Sequence, residues 1–310
     1  MSSSTLYYVI YHRNCPDGMM ASWIYLQYCK LYKLDLENIV LIPADAGNVP
    51  TNLSWDKAHI IMLDISFGKD DLLAIASKAS SVLILDHHKT AQTNLSGTFP
   101  ENVRLVFNME KCGAQLTWDE CFPYLDYPWY VEVVADRDLW RWTFPNSKPL
   151  GKYLMDNGYF ESHDQLDKVS NWSTAEMTQA IAVGKVMLEV DDHNIDMYVK
   201  SAILCEFKAP DKTYRVYLVG CPHKYASDVG HKLSSSSECD FAVMWRYSFE
   251  EDVWNLSCRS SKNRPDIDLS VICSQFGSGG GHKHAAGFKI NNHSFGLRSY
   301  FSKINAANIS

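Results

Sequence analysis

The sequence has no C-x-x-C pair, no long apolar run and no secretory signal. Its nine cysteines are scattered and odd in number, which argues against a structural zinc site or a disulfide framework and favours reduced thiols. No apolar segment approaches the roughly 20 residues that a membrane-spanning helix needs. Residues 1–5 lack the basic and apolar regions of a signal peptide. We therefore expect a cytoplasmic protein with no membrane partner.

An excess of positive charge is also absent. The formal charge is −7 at pH 7, which disfavours a protein that coats long nucleic acid through a broad basic surface. A short phosphorylated substrate is still compatible, because a few local cations or bound divalent ions can hold a small anion whatever the net charge. The 310 residues, of which 46% are hydrophobic, suffice for two domains that each have a core.

The most informative stretch runs from Ser81 to Lys89 and places Asp86, His87 and His88 directly after four aliphatic residues. This pattern predicts a buried strand that delivers polar groups to its C-terminal end. A carboxylate and two imidazoles crowded at a strand end indicate a metal site. Adjacent histidines also occur in surface loops, so this stretch alone leaves both interpretations open.

Three other apolar segments also lead into acidic or imidazole side chains. They are residues 6–11, followed by His12 and Asp17, residues 59–63, followed by Asp64, and residues 130–135, followed by Asp136. Predicted strands alternate with predicted helices, which implies a parallel sheet whose strand ends share one edge. Together with His87, these side chains have the ligand types of a two-ion site for hard or borderline divalent metals.

Helical signals join the two halves of the chain. The capping-box pattern at residues 173–176 begins a predicted helix that continues to Lys200. The second half alternates predicted strands with two predicted helices. We therefore predict a two-domain α/β protein, with a parallel-sheet catalytic domain at residues 1–160, a helical linker at residues 161–200 and a smaller α/β domain with a mixed sheet at residues 201–310.

A glycine run occupies Gly279, Gly280 and Gly281, and we expect it to precede a helix. Its unobstructed backbone N–H groups could bind an anion, and Arg259 and His282 could add charge-assisted contacts. The run lacks the Lys-Ser/Thr pair of a Walker loop, so a merely flexible segment is the alternative.

Taken in order along the chain, these motifs form a recognisable set. The N-terminal motifs are His12…Asp17-Gly18, Asp64-Ile65-Ser66, Asp86-His87-His88 and Asp136-Arg137-Asp138, and the C-terminal motifs are Arg259-Ser260 and Gly279-Gly280-Gly281-His282…Ala285-Ala286-Gly287. The set resembles the DHH phosphoesterase family with its DHH-associated C-terminal domain, over residues 6–290. Its C-terminal part is similar to the branch of oligoribonucleases, or nano-RNases, and cyclic-dinucleotide phosphodiesterases.

The resemblance implies a role for each of these side chains. Two divalent ions, Mn²⁺ with Mg²⁺ and Co²⁺ as alternatives, would be bound by His12, Asp17, Asp64, His87 and Asp136, with Asp64 bridging them. His88 would face the scissile phosphate and Asp86 would orient the neighbouring imidazoles, so that His88, Asp64 and Asp86 are the predicted catalytic residues. The terminal phosphate or nucleotide of the substrate would be held by Arg259, Ser260, Gly279, Gly280, Gly281 and His282.

The first motif departs from the family pattern. Many relatives place two aspartates there, whereas Asn14 and Met19 stand near those places here, and the spacing from His12 to Asp17 is one residue longer. Asn14 is therefore left as a weak ligand or none.

Two further points stay open. In the fourth motif either Asp136 or Asp138 could be the ligand, and we choose Asp136 because it directly follows the apolar run. Ser278 precedes the three glycines and leaves the register of that loop undecided.

The resemblance implies a hydrolase of phosphoric ester bonds that uses Mn²⁺ and cleaves short oligonucleotides to mononucleotides, as an exonuclease or a nano-RNase. Within enzymes, the alternative is a 3′-phosphoadenosine 5′-phosphate phosphatase or a cyclic-dinucleotide phosphodiesterase. A non-catalytic nucleotide-binding module is the alternative of another class, motivated by the missing first-motif aspartate. The expected partner is a short oligonucleotide or a small nucleotide rather than a long duplex, and a homodimer is compatible with the sequence.

Overall fold

The computed structural model describes residues 5–277, 279–291 and 296–304. Residues 1–4, on which the exclusion of a secretory signal mostly rests, lie outside the described residues, as does Ser278 beside the glycine run. The chain forms two compact units, residues 1–188 and residues 189–310. Within the described ranges, no helix combines the length and the apolar character needed to cross a membrane.

The first unit is built on a five-stranded parallel sheet. Its strands are β1 (Tyr7–His12), β2 (Ile39–Ala44), β3 (His59–Leu63), β4 (Ser81–Asp86) and β5 (Val103–Phe107). They lie in the order β2-β1-β3-β4-β5, and every neighbouring pair is parallel. Ile10 and Ile84 pack into one core cluster, and their chain neighbours Val9 and Leu85 pack into another. Both faces of the sheet are therefore buried, which explains why its strands are nearly continuous apolar runs.

Helices connect these strands and lead out of the sheet. They are α1 (Pro16–Leu31), α2 (Lys69–Ala76), α3 (Lys89–Asn94), α4 (Gly113–Cys121), α5 (Trp129–Asp138), α6 (Ser147–Asp156), α7 (His163–Ser170) and α8 (Thr174–Ser201). Helix α8 begins with the predicted capping box. Ser173 Oγ accepts a hydrogen bond from Glu176 N at 3.3 Å, and Glu176 Oε2 accepts one from Ser173 N at 2.7 Å.

Residues 130–135 belong to helix α5 and not to a strand. Val131, Val134 and Ala135 pack into one apolar cluster. Their spacing of three and four residues places them on one face of a helix. The prediction that grouped this segment with the strand ends was wrong, because a short, mostly apolar run fits a strand as well as a buried helix.

The second unit is built on a seven-stranded mixed sheet. Its strands are β6 (Ile203–Lys208), β7 (Thr213–Gly220), β8 (Phe241–Ser248), β9 (Val253–Arg259), β10 (Gly280–Gly281), β11 (Ala285–Asn291) and β12 (Phe301–Lys303), and its helices after α8 are α9 (Ala226–Ser234) and α10 (Leu269–Ser274). The strand order is β10-β11-β9-β8-β7-β6-β12, in which β7 and β8 are parallel and the other pairs antiparallel. The predicted α/β class, with a parallel first sheet and a mixed second sheet, is confirmed.

The glycine run begins a β-hairpin rather than the predicted helix. Gly280 pairs with Gly287, and Gly281 pairs with Ala286, on the antiparallel strand β11. Gly281 has φ 134°, and a Cβ built there would lie 2.7 Å from the carbonyl oxygen of Ala285. Glycine is required at this position because the chain turns back closely on itself, and the helix expectation was therefore wrong.

Replacing Phe207 by alanine should lower the free energy of unfolding by about 3–5 kcal/mol, because it empties a close-packed interior. Phe207 is fully buried, and its ring lies 4.8 Å from that of Phe301. The matched control Phe249→Ala removes the same side chain from a position that is 89% exposed. The control should change the unfolding free energy by less than about 0.5 kcal/mol in urea titrations. Equal losses in the two variants would contradict this description of the core.

Candidate metal centre

Three neighbouring strands deliver polar side chains to one edge of the first sheet. His12 ends β1, Asp64 follows β3 and His87 follows β4. Because β1, β3 and β4 are adjacent and parallel, their C-terminal ends meet at the same edge. Asp64 Oδ2 lies 3.4 Å from His12 Nδ1, and Asp64 Oδ1 lies 3.1 Å from His87 Nε2. Asp64 thus stands between two imidazoles, as a bridging ligand would.

Two helix N-termini complete this edge. Asp17, in the first turn of α1, lies with its Oδ2 3.6 Å from His87 Nε2. Its two carboxylate oxygens also accept hydrogen bonds from the backbone N–H groups of Gly113 and Ala114 at 2.6 and 2.7 Å, at the start of α4. The orphan N–H groups of that helix therefore fix the Asp17 carboxylate in place.

Asp138 reaches this edge and Asp136 does not. Asp138 Oδ2 lies 3.5 Å from His87 Nε2. Asp136 instead accepts hydrogen bonds from Thr143 Oγ1 at 3.0 Å and from the backbone N–H of Phe144 at 2.6 Å. Both aspartates lie on α5, and residues two apart on a helix project about 200° apart around its axis. Asp138, and not the predicted Asp136, therefore lies beside the other candidate ligands, which could be recognised only once the segment was known to be a helix.

Asp86 holds the two histidines that follow it. Its Oδ1 accepts hydrogen bonds from the backbone N–H groups of His87 and His88 at 2.7 and 3.1 Å, and it lies 2.7 Å from His88 Nδ1. Asp86 is 1% exposed, so these contacts are shielded from water. The side chain of His87 is 1% exposed and that of His88 is 24% exposed. His88 is therefore the more accessible imidazole.

Burial and close charges shift the pKa values of the side chains at this edge. Burial, together with repulsion from Asp64 and Asp138, raises the pKa of Asp17 well above its usual range. Although burial opposes it, the adjacent imidazoles of His12 and His87 hold the pKa of Asp64 well below its usual range. Burial also lowers the pKa of His87, but Asp138, Asp64 and Asp17 outweigh it and raise that pKa to about 10. The carboxylates thus outnumber the cations that could balance them.

We call His12, Asp17, Asp64, His87 and Asp138 the candidate centre, and its residues fit divalent ions. Among the described residues of the first unit, potential ligand atoms lie within 4.8 Å of one another in three groups, which are His12 with Cys15 and Asp64, Asp17 with His87 and Asp138, and Asp64 with Asp86 and His88. Within the part of the chain that the structure describes, the buried atom His12 Nδ1 has no hydrogen-bond partner. Buried carboxylates and imidazoles of this kind are the ligands that divalent metals bind.

Gly113 is required for α4 to approach this edge. A Cβ built on Gly113 would lie 2.5 Å from Asp64 Cβ and 3.0 Å from Asp17 Oδ2. Asp64 itself has φ 58°, in the left-handed region, where Asn and Asp are the side-chain-bearing residues found most readily. The candidate centre therefore depends on backbone positions as well as on ligands.

In the second unit, the predicted substrate-binding residues lie at the end of β9 and on the adjoining hairpin. Arg259 Nη2 donates to Ser227 Oγ at 3.0 Å, and Arg259 pairs with Ala285 on β11. Ser260 Oγ lies 2.9 Å from His284 Nδ1, a contact that the sequence motifs did not reveal. We call Arg259, Ser260, His284 and the glycine hairpin the arginine corner.

The rest of the glycine motif shapes this corner. Gly279 packs so tightly that a Cβ would lie 1.9 Å from the carbonyl oxygen of Cys273. The backbone N–H of His282 donates to the carbonyl of Ala285 at 2.8 Å, inside the hairpin turn. The predicted glycines therefore act through close packing and a tight turn.

Because Asp136 and Asp138 have different surroundings, replacing each by alanine should affect the free energy of unfolding and Mn²⁺ binding differently. Asp136→Ala should lower the free energy of unfolding by about 1–3 kcal/mol, since it removes the buried carboxylate that accepts the hydrogen bonds from Thr143 and Phe144. Asp138→Ala should leave that free energy unchanged or raised, because it removes a repelling carboxylate, and should weaken Mn²⁺ binding by roughly tenfold or more. Urea unfolding without metal and calorimetric titration with Mn²⁺ measure the two effects. Tight Mn²⁺ binding by Asp138→Ala, with none by folded Asp136→Ala, would restore the original assignment.

Gly113→Ala should destabilise the first unit by about 1–3 kcal/mol and weaken Mn²⁺ binding, because the added methyl group displaces Asp64 or Asp17. Gly151→Ala is the matched control, since a Cβ there would meet Val133 at an ordinary 3.5 Å inside helix α6. That control should be neutral or stabilising by up to about 1 kcal/mol. Thermal unfolding and Mn²⁺ calorimetry test both, and wild-type Mn²⁺ binding by Gly113→Ala would refute the steric argument.

Comparison with known sequences gives one informative relative. No model of a protein family matches the chain. A protein of Acanthamoeba polyphaga mimivirus, described as uncharacterized, is 30% identical over 292 residues. This similarity covers 90% of the chain but 66% of the mimivirus protein, so the chain spans slightly less than two thirds of that relative.

Comparison with solved structures identifies the fold. A DHH domain, from a protein described as a member of a family of ribosomal proteins, matches with a TM-score of 0.60 and 10% identity, over 93% of this chain and 83% of that chain. The exonuclease RecJ bound to manganese is similar at a TM-score of 0.49 and 13% identity, over 92% of this chain and 86% of that chain. The chain therefore has the fold of this DHH domain, as the order of its motifs predicted.

Proposed function

We propose that this protein is a metal-dependent phosphoesterase that hydrolyses short oligonucleotides to mononucleotides. The observation that carries the proposal is the position of Asp64 between His12 and His87, 3.4 and 3.1 Å away, with Asp17 and Asp138 grouped around His87. Such a set of buried carboxylates and imidazoles is suited to hold two divalent ions. The ions would polarise the scissile phosphate and lower the pKa of the attacking water.

The protein's own side chains orient the phosphate and balance its charge. His88 is the partly exposed imidazole of the centre, and its Nδ1 lies 2.7 Å from Asp86 Oδ1. Burial lowers the pKa of His88, but the Asp86 carboxylate outweighs it and raises that pKa above its usual value. A protonated His88, held in orientation by Asp86, would stabilise charge that develops on the phosphate oxygens.

Within the same proposal, the arginine corner binds a phosphate group of the substrate. Burial lowers the pKa of Arg259, yet an arginine stays charged near neutral pH. Its guanidinium is fixed by Ser227 at 3.0 Å and by its neighbour's carbonyl at 2.8 Å. A preorganised guanidinium loses little side-chain entropy when it binds an anion, which supports this role.

The proposed metal is Mn²⁺, with Mg²⁺ and Co²⁺ as alternatives, since carboxylates and imidazoles accept each of these ions. The proposed substrate is a short oligonucleotide or small nucleotide rather than a long duplex, which is consistent with a net charge of −7. All nine cysteines are free thiols, which supports the proposed cytoplasmic location. We also propose that the protein can form a homodimer.

The decisive assay compares a labelled dinucleotide, a longer oligomer, 3′-phosphoadenosine 5′-phosphate and a cyclic dinucleotide on the same protein with Mn²⁺. We expect the dinucleotide to be cleaved fastest. Faster release of free phosphate from 3′-phosphoadenosine 5′-phosphate would favour a nucleotide phosphatase. Faster opening of the cyclic dinucleotide would favour a cyclic-dinucleotide phosphodiesterase. Tight nucleotide binding with no turnover under any divalent ion would favour a non-catalytic binding module.

Asp64→Asn is the control for this assay. Asparagine tolerates the left-handed backbone of position 64, where φ is 58°, so the variant should fold while losing a charged ligand. Mutation of a residue that only hydrogen-bonds to a metal ligand typically lowers activity by roughly 10–100-fold, and Asp64→Asn should lower it by more than that. Full activity in a correctly folded Asp64→Asn protein would contradict the proposed mechanism.

A further inference from the structure

Cys15 lies against the candidate centre although no motif assigned it a role. Its thiol donates a hydrogen bond to Asp64 Oδ2, with 3.3 Å between Sγ and the oxygen. Cys15 occupies the N-cap position of α1, directly before Pro16, yet its side chain makes no capping hydrogen bond to that helix. The thiol is therefore directed to the Asp64 carboxylate instead of to the helix that it precedes.

A second observation points to the same place. His12 Nδ1 lies 3.4 Å from the same Asp64 oxygen, and this buried atom has no hydrogen-bond partner among the described residues. An imidazole nitrogen, a thiol sulfur and a carboxylate oxygen thus lie within 4.8 Å of one another. A buried nitrogen that lacks a partner is costly, and a cation among these three atoms would satisfy it.

The two residues that stand near the places of the family's aspartates, Asn14 and Met19, do not compete for this position. Asn14 is exposed and occupies a turn with φ 53°. Met19 packs against two apolar clusters of the first unit. Cys15 is the one residue between His12 and Asp17 that contributes a ligand atom to a metal-type group in the described part of the chain.

We propose that Cys15 is a metal ligand of this protein and supplies a thiolate where relatives place a carboxylate. When an ion binds with His12 and Asp64, the Sγ–H bond breaks, the proton passes to solvent and a sulfur–metal bond forms, with no change of oxidation state. The proposal rests on the metal centre of the proposed function but goes beyond it, since that function needs no sulfur ligand.

A sulfur ligand changes which metal this position prefers. Carboxylates and water suit Mg²⁺ and Mn²⁺, whereas thiolates favour softer ions such as Zn²⁺, and affinity for nitrogen and sulfur sites rises from Mn²⁺ through Co²⁺. The group of His12, Cys15 and Asp64 therefore favours Co²⁺ or Zn²⁺ over Mg²⁺ and Mn²⁺. The group of Asp17, His87 and Asp138 contains no sulfur and therefore favours the harder ions Mg²⁺ and Mn²⁺.

Cobalt titration of the metal-free protein tests this assignment directly. A thiolate bound to Co²⁺ produces a sulfur-to-metal charge-transfer band in the near ultraviolet, which carboxylate and imidazole ligands do not. Wild-type protein should show the band as cobalt binds, and Cys15→Ser should lose it. Cys15→Asp should also lose the band but retain the cobalt stoichiometry, and its preference for Zn²⁺ over Mn²⁺ should fall by roughly tenfold or more.

Cys112→Ser is the matched control, because the Cys112 thiol likewise lies beside a carboxylate of the centre, that of Asp17. It belongs to none of the metal-type groups found among the described residues, so the band should persist in this variant. Loss of the band in Cys112→Ser with retention in Cys15→Ser would overturn the assignment. So would stoichiometric cobalt binding by the wild type without any band.

A measurement on the wild type alone covers the case in which a Cys15 variant fails to fold. Bound Co²⁺ should protect Cys15 from alkylation by iodoacetamide, quantified by peptide mass spectrometry, and removal of the ion should restore labelling. Equal labelling of Cys15 with and without bound cobalt would refute the proposal while leaving the proposed function standing. If the wild type binds no divalent ion at all, both proposals fail together.

Discussion

The buried carboxylate of Asp64 is the constraint on which the first unit depends. It is 2% exposed and lies between His12 and His87, with further carboxylates close by. Charges of one sign in such a place repel one another strongly, because water is not there to screen them. A bound cation would offset this repulsion, which is why such a cluster is a candidate metal centre.

The surrounding fold holds this cluster by close backbone approach. Gly18 brings α1 back over the end of β1, where a Cβ would lie 2.5 Å from the carbonyl oxygen of His12. Gly113 does the same for α4 beside Asp64, and the N–H groups of that helix bind Asp17. The sheet sets the positions of His12, Asp64 and His87, the first turn of α1 adds Asp17, and the C-terminal end of α5 adds Asp138. Mutations of these glycines should therefore act on metal binding although neither glycine has a ligand atom.

The second unit supplies a different kind of preorganisation. Its core of aromatic and aliphatic side chains fixes strand β9, whose last residue is Arg259, next to the hairpin that carries the glycines. Ser260 and His284 contact each other across the same pair of strands. A corner built on paired strands keeps its donors in place, which would lower the entropy cost of binding an anion there.

The sequence by itself determined the strands of the first sheet, the sheet class and the candidate metal-binding residues at the strand ends, because a buried parallel strand needs an apolar run and a polar end stands out against it. His12, Asp64 and His87 were found in this way. Tertiary structure decided what local pattern cannot contain. Asp138, and not Asp136, lies beside His87 because α5 is a helix. Cys15 contacts Asp64, although 49 positions of sequence separate them. Residues on separate elements become neighbours only when packing fixes the direction of each side chain, and spacing along the chain does not encode that direction.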